Sequence, residues 1–447
     1  MIPSLGPIRA LGLALLVLLP TGCGLFDDEE RLEGERVRIR DNEATRAGAG
    51  LAAEPTLALG GQATPLPPPE SIDSWTHVNA VATHNGGHLA GPASPVRSWR
   101  VDVGEGTSDD GAITSAPVVA GGRIYTLDAA STVTAVGTSG SVAWQTELVP
   151  EGEEGSEGFG GGLAWFDGAL YATTGFGEVL RLDTGSGAIE WRTRLGAPVR
   201  AAPAADQGVV VAVTRDNAAF GLDVDTGEIR WRARGATSGA GVLGGASPAI
   251  AGTGAVVPFG SGEIVALDLI GGRRFWSAVL SGGRRGLARA AISDVTGDPV
   301  GIGQVVIAAN QAGRIVAVRA ENGRRIWTRS LGAQGPIWAA GTSLFLVSDT
   351  AELVRLDAAT GATVWSRQLP AFEDEEDRED PIGYSGPVLV EGRLWITSSL
   401  GELRGFEATA GEPVAAIELG GGSLTGPVVA GNAMYVLTDD AVLEAYR

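Results

Sequence analysis

Cysteine and histidine are nearly absent from this sequence, whose 447 residues include one Cys and three His. A single cysteine excludes a disulfide within the chain, so the stability of the fold must come from a packed core. It also excludes the paired cysteines of a structural zinc site. The Walker loop, the G-x-S-x-G nucleophile turn and the H-E-x-x-H zinc motif are absent as well. The sequence therefore offers no motif for nucleotide, serine or zinc chemistry.

Net positive charge is lacking too, and so is a hydrophobic run long enough to cross a membrane. The apolar run at residues 10–19 would measure about 15 Å as a helix, against roughly 30 Å for a bilayer core. With Arg9 in front of it, this run predicts a secretory signal peptide over residues 1–22. The formal net charge of -20 argues against a nucleic-acid partner, because phosphates would be repelled.

The only cysteine, Cys23, follows the predicted signal directly. Residues 19–23 resemble the lipobox of bacterial lipoproteins, in which the cysteine is acylated, although Pro20 replaces the leucine usual at that place. We therefore predict that Cys23 carries the lipid; the alternative is an ordinary signal peptide with an incidental cysteine. Several acyl chains would give stable membrane attachment. Lipoproteins with aspartate after the cysteine tend to stay in the inner membrane, so Gly24 implies the outer membrane.

Residues 23–70 predict a lipidated flexible tether. An acidic run at 27–30 and three arginines between positions 36 and 40 are followed by sequence rich in Ala, Gly and Pro. Such a composition buries too little apolar surface to fold alone. Its end-to-end distance would be about 40 Å, which lets the following domain stand away from the membrane. The alternative for residues 34–40 is a strand that docks on a partner.

One ten-residue pattern recurs along the rest of the chain, and it is clearest at residues 222–231. Other copies end at Trp191, Trp276, Trp327 and Trp365, and in each of them a glycine precedes the tryptophan by four positions. Aspartate and glycine in this pattern predict a hairpin turn, because aspartate bonds the local backbone and glycine accepts a positive φ. Further short β-branched runs precede each copy. A repeat of four strands is typical of a propeller blade.

The repeat count predicts an all-β, eight-bladed propeller over residues 71–447, built of four-stranded antiparallel blades. Seven copies carry tryptophan, and Ala415 takes the eighth place. After Ala415 the chain has room for three strands only. A fourth strand without a blade of its own stands at residues 96–101. We therefore predict that this N-terminal strand closes the last blade and removes an open sheet edge.

Three other groups of residues have a structural and a chemical interpretation. His77, His84 and His88 lie in a Gly/Asn-rich loop, where surface hydrogen bonding is favoured over a metal site. Asp223 and Asp225 could suggest a calcium loop, but they occupy the turn of the repeat. The acidic insertion 373–380 predicts a solvated loop, with a cation site as the alternative. We expect no metal and no cofactor.

The repeats resemble those of pyrroloquinoline-quinone (PQQ) propellers, through their Asp-x-x-Thr-Gly-x-x-x-Trp pattern. Within that group the chain is most similar to the BamB family of lipoproteins, which belong to the outer-membrane β-barrel assembly machinery (the BAM complex). The resemblance rests on Cys23 with its signal and on residues 34–36, 75–88, 241–250 and 292–299. One alternative is a quinoprotein dehydrogenase, which would need adjacent cysteines that this chain lacks. Another is a lipoprotein propeller with a different envelope partner.

The resemblance implies a non-catalytic scaffold that binds the periplasmic domains of the barrel-forming subunit and assists insertion of outer-membrane proteins. Unfolded outer-membrane proteins are a further expected partner, and we expect one copy of the chain per complex. In the BamB family the contact lies in loops between blades. The matching stretch here is 195–203, which carries Leu195 and Arg200 as predicted partner-binding residues, although Pro198 stands where the family has arginine.

Overall fold

A computed structural model describes residues 65–109, 111–158, 160–237, 245–280, 294–333 and 335–447. Cys23, the predicted signal peptide and most of the predicted tether lie outside these ranges. The described residues form eight four-stranded antiparallel sheets and one two-stranded hairpin. The predicted eight-bladed propeller is therefore confirmed. Within the same ranges, no helix has the length and apolar character needed to cross a membrane.

The first four blades follow one another along the chain. Blade 1 contains β2 (Val118–Ala120), β3 (Arg123–Leu127), β4 (Thr132–Gly137) and β5 (Val142–Glu147). Blade 2 contains β6 (Gly161–Phe166), β7 (Ala169–Thr174), β8 (Glu178–Asp183) and β9 (Ile189–Arg194). Blade 3 contains β10 (Ala204–Asp206), β11 (Val209–Val213), β12 (Ala218–Asp223) and β13 (Ile229–Arg234). Blade 4 contains β14 (Ala249–Ala251), β15 (Gly254–Pro258), β16 (Glu263–Asp268) and β17 (Arg274–Val279).

The remaining blades include one that joins the two ends of the described chain. Blade 5 contains β18 (Val295–Ile302), β19 (Val305–Asn310), β20 (Arg314–Arg319) and β21 (Arg325–Arg329). Blade 6 contains β22 (Trp338–Ala340), β23 (Ser343–Val347), β24 (Glu352–Asp357) and β25 (Thr363–Gln368). Blade 7 contains β28 (Tyr384–Val390), β29 (Arg393–Ser398), β30 (Glu402–Glu407) and β31 (Pro413–Glu418). Blade 8 contains β32 (Val428–Ala430), β33 (Ala433–Leu437), β34 (Val442–Tyr446) and β1 (Arg97–Asp102).

The strand order gives the ring two different faces. In each blade the first strand is innermost and contacts the inner strands of neighbouring blades, while the last strand is outermost. Because the strands alternate in direction, the first turn of every blade and the third turn of blades 1 to 7 lie on one face, which we call the turn face. The second turns and the connections between blades lie on the opposite face, which we call the loop face. The connection 195–203 therefore belongs to the loop face.

The core lies between neighbouring blades. Inner strands such as β11, with the sequence VVVAV, are buried along their whole length because both surfaces of the sheet are covered by other blades. Outer strands such as β13 alternate between exposed and covered residues, since only one of their surfaces packs on a neighbour. This difference explains why the repeat contains three apolar runs followed by a strand rich in arginine and tryptophan.

The repeated tryptophans fasten each blade to the next. Seven indole N–H groups donate to a backbone carbonyl in the following blade. These bonds, 2.7–3.2 Å long, join Trp99 to Thr138, Trp144 to Thr184, Trp191 to Val224, Trp231 to Leu269, Trp276 to Ala320, Trp327 to Ala358 and Trp365 to Ala408. The glycine of each repeat lies under the indole of the preceding blade. A Cβ on Gly227, whose φ is +72°, would lie 2.7 Å from the ring of Trp191. Glycine is therefore needed both for the turn and for the close approach of the indole.

Blade 7 lacks this tryptophan because the next blade lacks the turn that would receive it. In blade 8 the third and fourth strands are β34 and β1, which come from opposite ends of the described chain. Blade 7 has Ala415 at this position of its outer strand. The indole that covers the position belongs to Trp395, on the second strand of the same blade. Trp395 on β29 lies opposite Gly405, which in turn pairs with Ala415. A Cβ on Gly405 would lie 2.9 Å from the Trp395 ring, so glycine lets this indole cover the site.

The ring closes as the sequence predicts. Strand β1 pairs antiparallel with β34, with Trp99 opposite Ala445 and Val101 opposite Leu443. Just before this ladder, Val96 and Arg447 exchange two backbone hydrogen bonds of 2.9 and 3.0 Å. The ring of Trp99 also packs on Tyr435, with centroids 6.0 Å apart. The N-terminal strand thus supplies the pairing that β34 would otherwise lack.

Residues 70–91, which we call the plug, lie across the axis of the ring on the turn face. The plug makes a hydrogen bond to the inner strand, or to the turn after it, in every blade. These bonds join Trp75 to Val119 in blade 1, Thr76 to Trp165 in blade 2, His77 to Ala205 in blade 3, Ala82 to Ile250 in blade 4, Thr83 to Gly301 in blade 5, Gly87 to Trp338 in blade 6, Leu89 to Leu389 in blade 7 and Ile72 to Gly431 in blade 8. The plug therefore closes this end of the ring.

The prediction that the three histidines lie in a surface loop is wrong. His77, His84 and His88 are all buried, because the plug that carries them packs against the blades. The described part of the predicted tether also contacts this region, since the Pro67 carbonyl lies 2.6 Å from Nδ1 of His88. Glu70 likewise forms a bridge to Leu89.

The acidic insertion is a short hairpin on the loop face. Strands β26 (Phe372–Asp374) and β27 (Glu379–Pro381) pair antiparallel between blades 6 and 7. Its acidic residues are exposed, as expected for a solvated segment. The segment with Asp223 and Asp225, which could suggest a calcium loop, is a hairpin turn. Oδ1 of Asp223 accepts the backbone N–H groups of Asp225 and Thr226, each at 2.9 Å. The turn interpretation is therefore confirmed.

Candidate partner-binding surface

The connection 195–203 is held tightly on the loop face between blades 2 and 3. The N–H of Leu195 donates to Gly177 at 2.8 Å, which fixes the end of β9 to a turn of its own blade. The N–H of Arg200 donates to Val213 at 3.2 Å, and Val199 forms a bridge to Thr214 in blade 3. Backbone bonds to both blades therefore set the course of this connection.

Leu195 faces inward, to the core between these two blades. Its residue is 7 % exposed, and it belongs to the same apolar cluster as Val199, Phe220 and Tyr171. Its burial stabilises the connection at the point where the chain leaves blade 2. Direct contact of Leu195 with a partner stays a prediction.

Arg200 is also buried, with 4 % of its side chain exposed, and it forms an ion pair inside the chain. Its Nη2 atom lies 2.6 Å from Oδ1 of Asp294, whose side chain is 0 % exposed. Arg200 precedes the inner strand of blade 3 and Asp294 precedes that of blade 5, so the pair passes over blade 4. Gly245, with φ +152°, leaves room there, because a Cβ at this position would collide with the guanidinium. The pair therefore links blades 3 and 5 across blade 4.

Two further polar contacts connect the same blades. Oδ1 of Asn217, in blade 3, accepts the N–H of Gly260 in blade 4 at 2.9 Å. Oδ1 of Asp298, in blade 5, accepts the N–H of Ser247 before blade 4 at 2.7 Å. With the Arg200–Asp294 pair, these contacts fix blades 3, 4 and 5 relative to one another. A surface fixed in this way binds without a large ordering cost.

Burial raises the pKa of Asp298 from its ordinary value of 3.8 to about 7. Because the folded-state pKa is the higher one, the stability from this carboxyl is fully present below pH 3.8 and is lost as the pH rises through about 7. Mild acid therefore favours the folded state at this position.

The residues exposed around Arg200 are mainly cationic. Arg215 and Pro198 are exposed and adjacent, since the N–H of Arg215 donates to the Pro198 carbonyl at 2.8 Å. Arg194 is 71 % exposed and bonds the buried carboxylate of Glu178 at 3.0 Å. Arg234, which is 60 % exposed, lies 3.6 Å from Asp216. The loop face of blades 2 and 3 thus presents arginine side chains on a rigid base.

The described ranges show no grouping of three or more His, Cys, Asp or Glu side chains that could hold a metal ion. The histidines bond backbone atoms of three different blades instead: Ala205 for His77, Pro299 for His84 and Gly392 for His88. The geometry suits binding by a fixed surface.

Comparison with known proteins identifies the family. The family model described as outer membrane protein assembly factor BamB matches residues 129–367, more than half of the chain. The chain belongs to the BamB family. The relative from Burkholderia pseudomallei is 27 % identical over 357 residues, covering 78 % of this chain and 87 % of its own length. The relative from Salmonella typhimurium is 25 % identical over 357 residues, covering 79 % and 88 %. Both carry the name outer membrane protein assembly factor BamB.

Solved structures agree on the fold of this BamB-family chain. BamB from Moraxella catarrhalis superposes with a TM-score of 0.62 at 20 % identity, covering 79 % of this chain and 98 % of that one. A quinohemoprotein alcohol dehydrogenase from Comamonas testosteroni gives a TM-score of 0.64 at 14 % identity, covering 84 % and 80 %. At these identities both show the propeller architecture alone. The similarity to the dehydrogenase therefore concerns the fold alone.

Sequence reasoning placed Leu195 and Arg200 in one connection but missed the residues that hold it. Asp294, Asn217 and Asp298 bind across blades, and Asp294 stands 94 positions from Arg200. No pattern of neighbouring residues predicts a contact over such a distance in sequence. The one feature of the sequence that could have indicated these residues is segment 292–299, which departs from the repeat and contains both Asp294 and Asp298.

Proposed function

We propose that this chain is a non-catalytic scaffold subunit of the outer-membrane protein assembly machinery, anchored to the outer membrane by a lipid on Cys23 and facing the periplasm. The observation that carries the proposal is the BamB family match over residues 129–367. The rigid loop face supports it, because a scaffold needs a surface whose shape does not depend on the partner. Unfolded outer-membrane proteins are proposed as transient partners, with one copy of this chain in the complex.

The proposed docking surface is the loop face of blades 2 and 3, around Leu195 and Arg200. We place the periplasmic domains of the barrel-forming subunit on it. Because both side chains are buried in this chain, their proposed role is to set the shape and charge of the surface that Pro198 and Arg215 expose. An acidic region on the partner would fit these arginines. Such charge complementarity raises the rate of association and fixes the orientation of the two proteins.

Reversing the exposed charge should weaken partner binding without unfolding the propeller. We expect the double variant Pro198→Glu/Arg215→Glu to recover at least about tenfold less barrel-forming subunit in a pull-down from envelopes, because like charges repel at an interface. The sites are suitable because both side chains are exposed. Arg194 is less suitable, since its variant would also disturb the buried Glu178.

Arg324→Glu is the control for this experiment, matched in its change of net charge to the Arg215→Glu part of the double variant. Arg324 is also exposed but lies in the third turn of blade 5, on the turn face. Its variant should recover the partner as the wild type does. Equal loss in both variants would point to net charge as the cause, and wild-type recovery in the double variant would place the interface elsewhere. Arg200→Glu and Leu195→Asp are predicted to weaken recovery as well, through the shape of the connection.

Membrane attachment has a separate test at Cys23. The variant Cys23→Ser cannot be acylated, so we expect it in the soluble periplasmic fraction while the wild type sediments with outer membranes. Cell fractionation followed by immunoblotting measures the distribution. If the serine variant sediments like the wild type, the lipid anchor is wrong, whatever the outcome at the docking surface.

A further inference from the structure

The plug differs from the blades in how it is held. It has no strand of its own in any sheet, and one to three hydrogen bonds to each of the eight blades hold it, together with buried apolar side chains such as Trp75 and Leu89. Asn79, Ala80 and His84 have positive φ angles of 54°, 82° and 59°. Such backbone conformations are unfavourable for residues other than glycine and persist only while the surroundings impose them. The blade ladders themselves contain no residue of the plug, so their pairing does not depend on it.

Histidine side chains supply several of the contacts that hold the plug. Nε2 of His77 lies 3.0 Å from both the N–H nitrogen and the carbonyl oxygen of Ala205, while its Nδ1 lies 2.9 Å from the Thr76 hydroxyl. Nδ1 of His84 lies 3.0 Å from the Pro299 carbonyl. Nε2 of His88 accepts the N–H of Gly392 at 2.8 Å, which requires a ring without a proton on that nitrogen.

We propose that residues 70–91 are a histidine-latched plug, which leaves the axis of the ring on mild acidification while the eight blades remain folded. Its latches are His77 and His84, which are 4 % and 1 % exposed. A charged imidazolium cannot be hydrated in those positions, whereas it can in the released plug. Release would open the turn face of the ring and add the plug residues to the segment that precedes the propeller.

The charges around the two latches set the direction of the effect. Burial lowers the pKa of His77 to about 4, against smaller raising effects of the hydrogen bond to Ala205 and of the charge of Asp206. Burial lowers the pKa of His84 to about 3, and the nearby His77 lowers it further. The neighbouring carboxyl of Asp298, whose own pKa burial raises to about 7, accepts the Ser247 N–H, so it is neutral at pH 5.5 and offers no charge to His84 there. Because both folded values lie below the ordinary 6.5, the bound plug loses stability as the pH falls below 6.5.

Hydrogen exchange measured by mass spectrometry tests this on the full propeller at pH 7.5 and pH 5.5, with rates corrected for intrinsic exchange. One pH unit below 6.5, each neutral buried histidine should increase the open population about tenfold. We therefore expect protection of peptides from residues 70–91 to fall about 100-fold, while blade peptides such as 209–223 keep theirs. Unchanged plug protection, or equal loss in plug and blades, overturns the proposal.

Two variants separate titration from simple weakening. In His77→Gln/His84→Gln the ratio of protection between the two pH values should shrink from about 100 to below about ten, since glutamine does not titrate. Trp338→Phe removes the 2.7 Å bond to Gly87 and should lower protection by the same factor at both pH values, leaving the ratio unchanged. If the double variant has no protected plug at pH 7.5, each single histidine variant should show a ratio of about ten. A wild-type ratio in the histidine variants refutes the latch.

Discussion

Removing the closing strand β1 should convert this propeller into an aggregating protein. Without β1 the backbone groups of β34 have no partner, and an unpaired strand edge pairs readily with other chains. Trp99 is lost at the same time, together with its bond to Thr138 in blade 1 and its packing on Tyr435. The seam between the last and first blades would then lack both its sheet pairing and its indole.

A pair of deletions isolates this effect from the loss of the plug. Deleting residues 24–92 removes the plug and leaves β1, whereas deleting residues 24–102 removes both. We expect the shorter deletion to stay monomeric by size-exclusion chromatography with light scattering, and the longer one to form large aggregates. A deletion of residues 24–64, which keeps all the contacts described for the plug, serves as the reference. A longer deletion that stays monomeric, with the melting curve of the shorter one, would show that β1 does not close the ring.

Arg200→Ala should destabilise the propeller by about 3–5 kcal/mol, because it removes one partner of a buried ion pair. The carboxylate of Asp294 is wholly buried and lies 2.6 Å from the Arg200 guanidinium. Chemical denaturation at neutral pH measures the free energy of unfolding. The exposed Arg215 is the matched control, and Arg215→Ala should change that energy by less than about 0.5 kcal/mol.

The double variant Arg200→Ala/Asp294→Asn distinguishes the charge from the packing. If the lost attraction between the two charges causes the destabilisation, replacing the Asp294 carboxylate by a neutral amide should restore most of the stability. If the double variant is no more stable than Arg200→Ala, the cost comes from the missing side-chain volume. The result also governs the use of Arg200 variants in binding experiments, since lost recovery of the partner would then report a distorted surface as well as a missing contact.

The sequence was most informative about elements that repeat. The Gly-x-x-x-Trp spacing marks the third turn and outer strand of a blade, because only glycine suits the turn and only a surface strand needs the indole. Counting the copies predicts eight blades, and the leftover strand around Trp99 predicts how the ring closes. Why blade 7 has Ala415 in place of the repeated tryptophan could not be predicted from the repeats. It depends on the missing turn in blade 8 and on Trp395, which reaches the site from another strand.

The candidate site shows the opposite balance. The connection 195–203 can be located from the order of the repeats, but the direction in which Leu195 and Arg200 point cannot. Both residue types are compatible with an exposed loop, and the family resemblance suggested contact with a partner. Burial of Arg200 depends on Asp294 and Gly245, which belong to other blades. A buried arginine needs a partner of opposite charge, and the sequence does not show that Asp294 is the partner of Arg200.

By itself the sequence determined the all-β class, the number of blades and the way the ring closes, since these follow from local turn chemistry and from counting. Only the tertiary structure decided which polar residues are buried. The histidines of the plug, the Arg200–Asp294 pair and the Asp298 carboxyl all lie where segments distant in sequence meet near the axis of the ring. Burial and pairing of this kind depend on which segments the closed ring brings together, and no periodic pattern along the chain encodes those contacts.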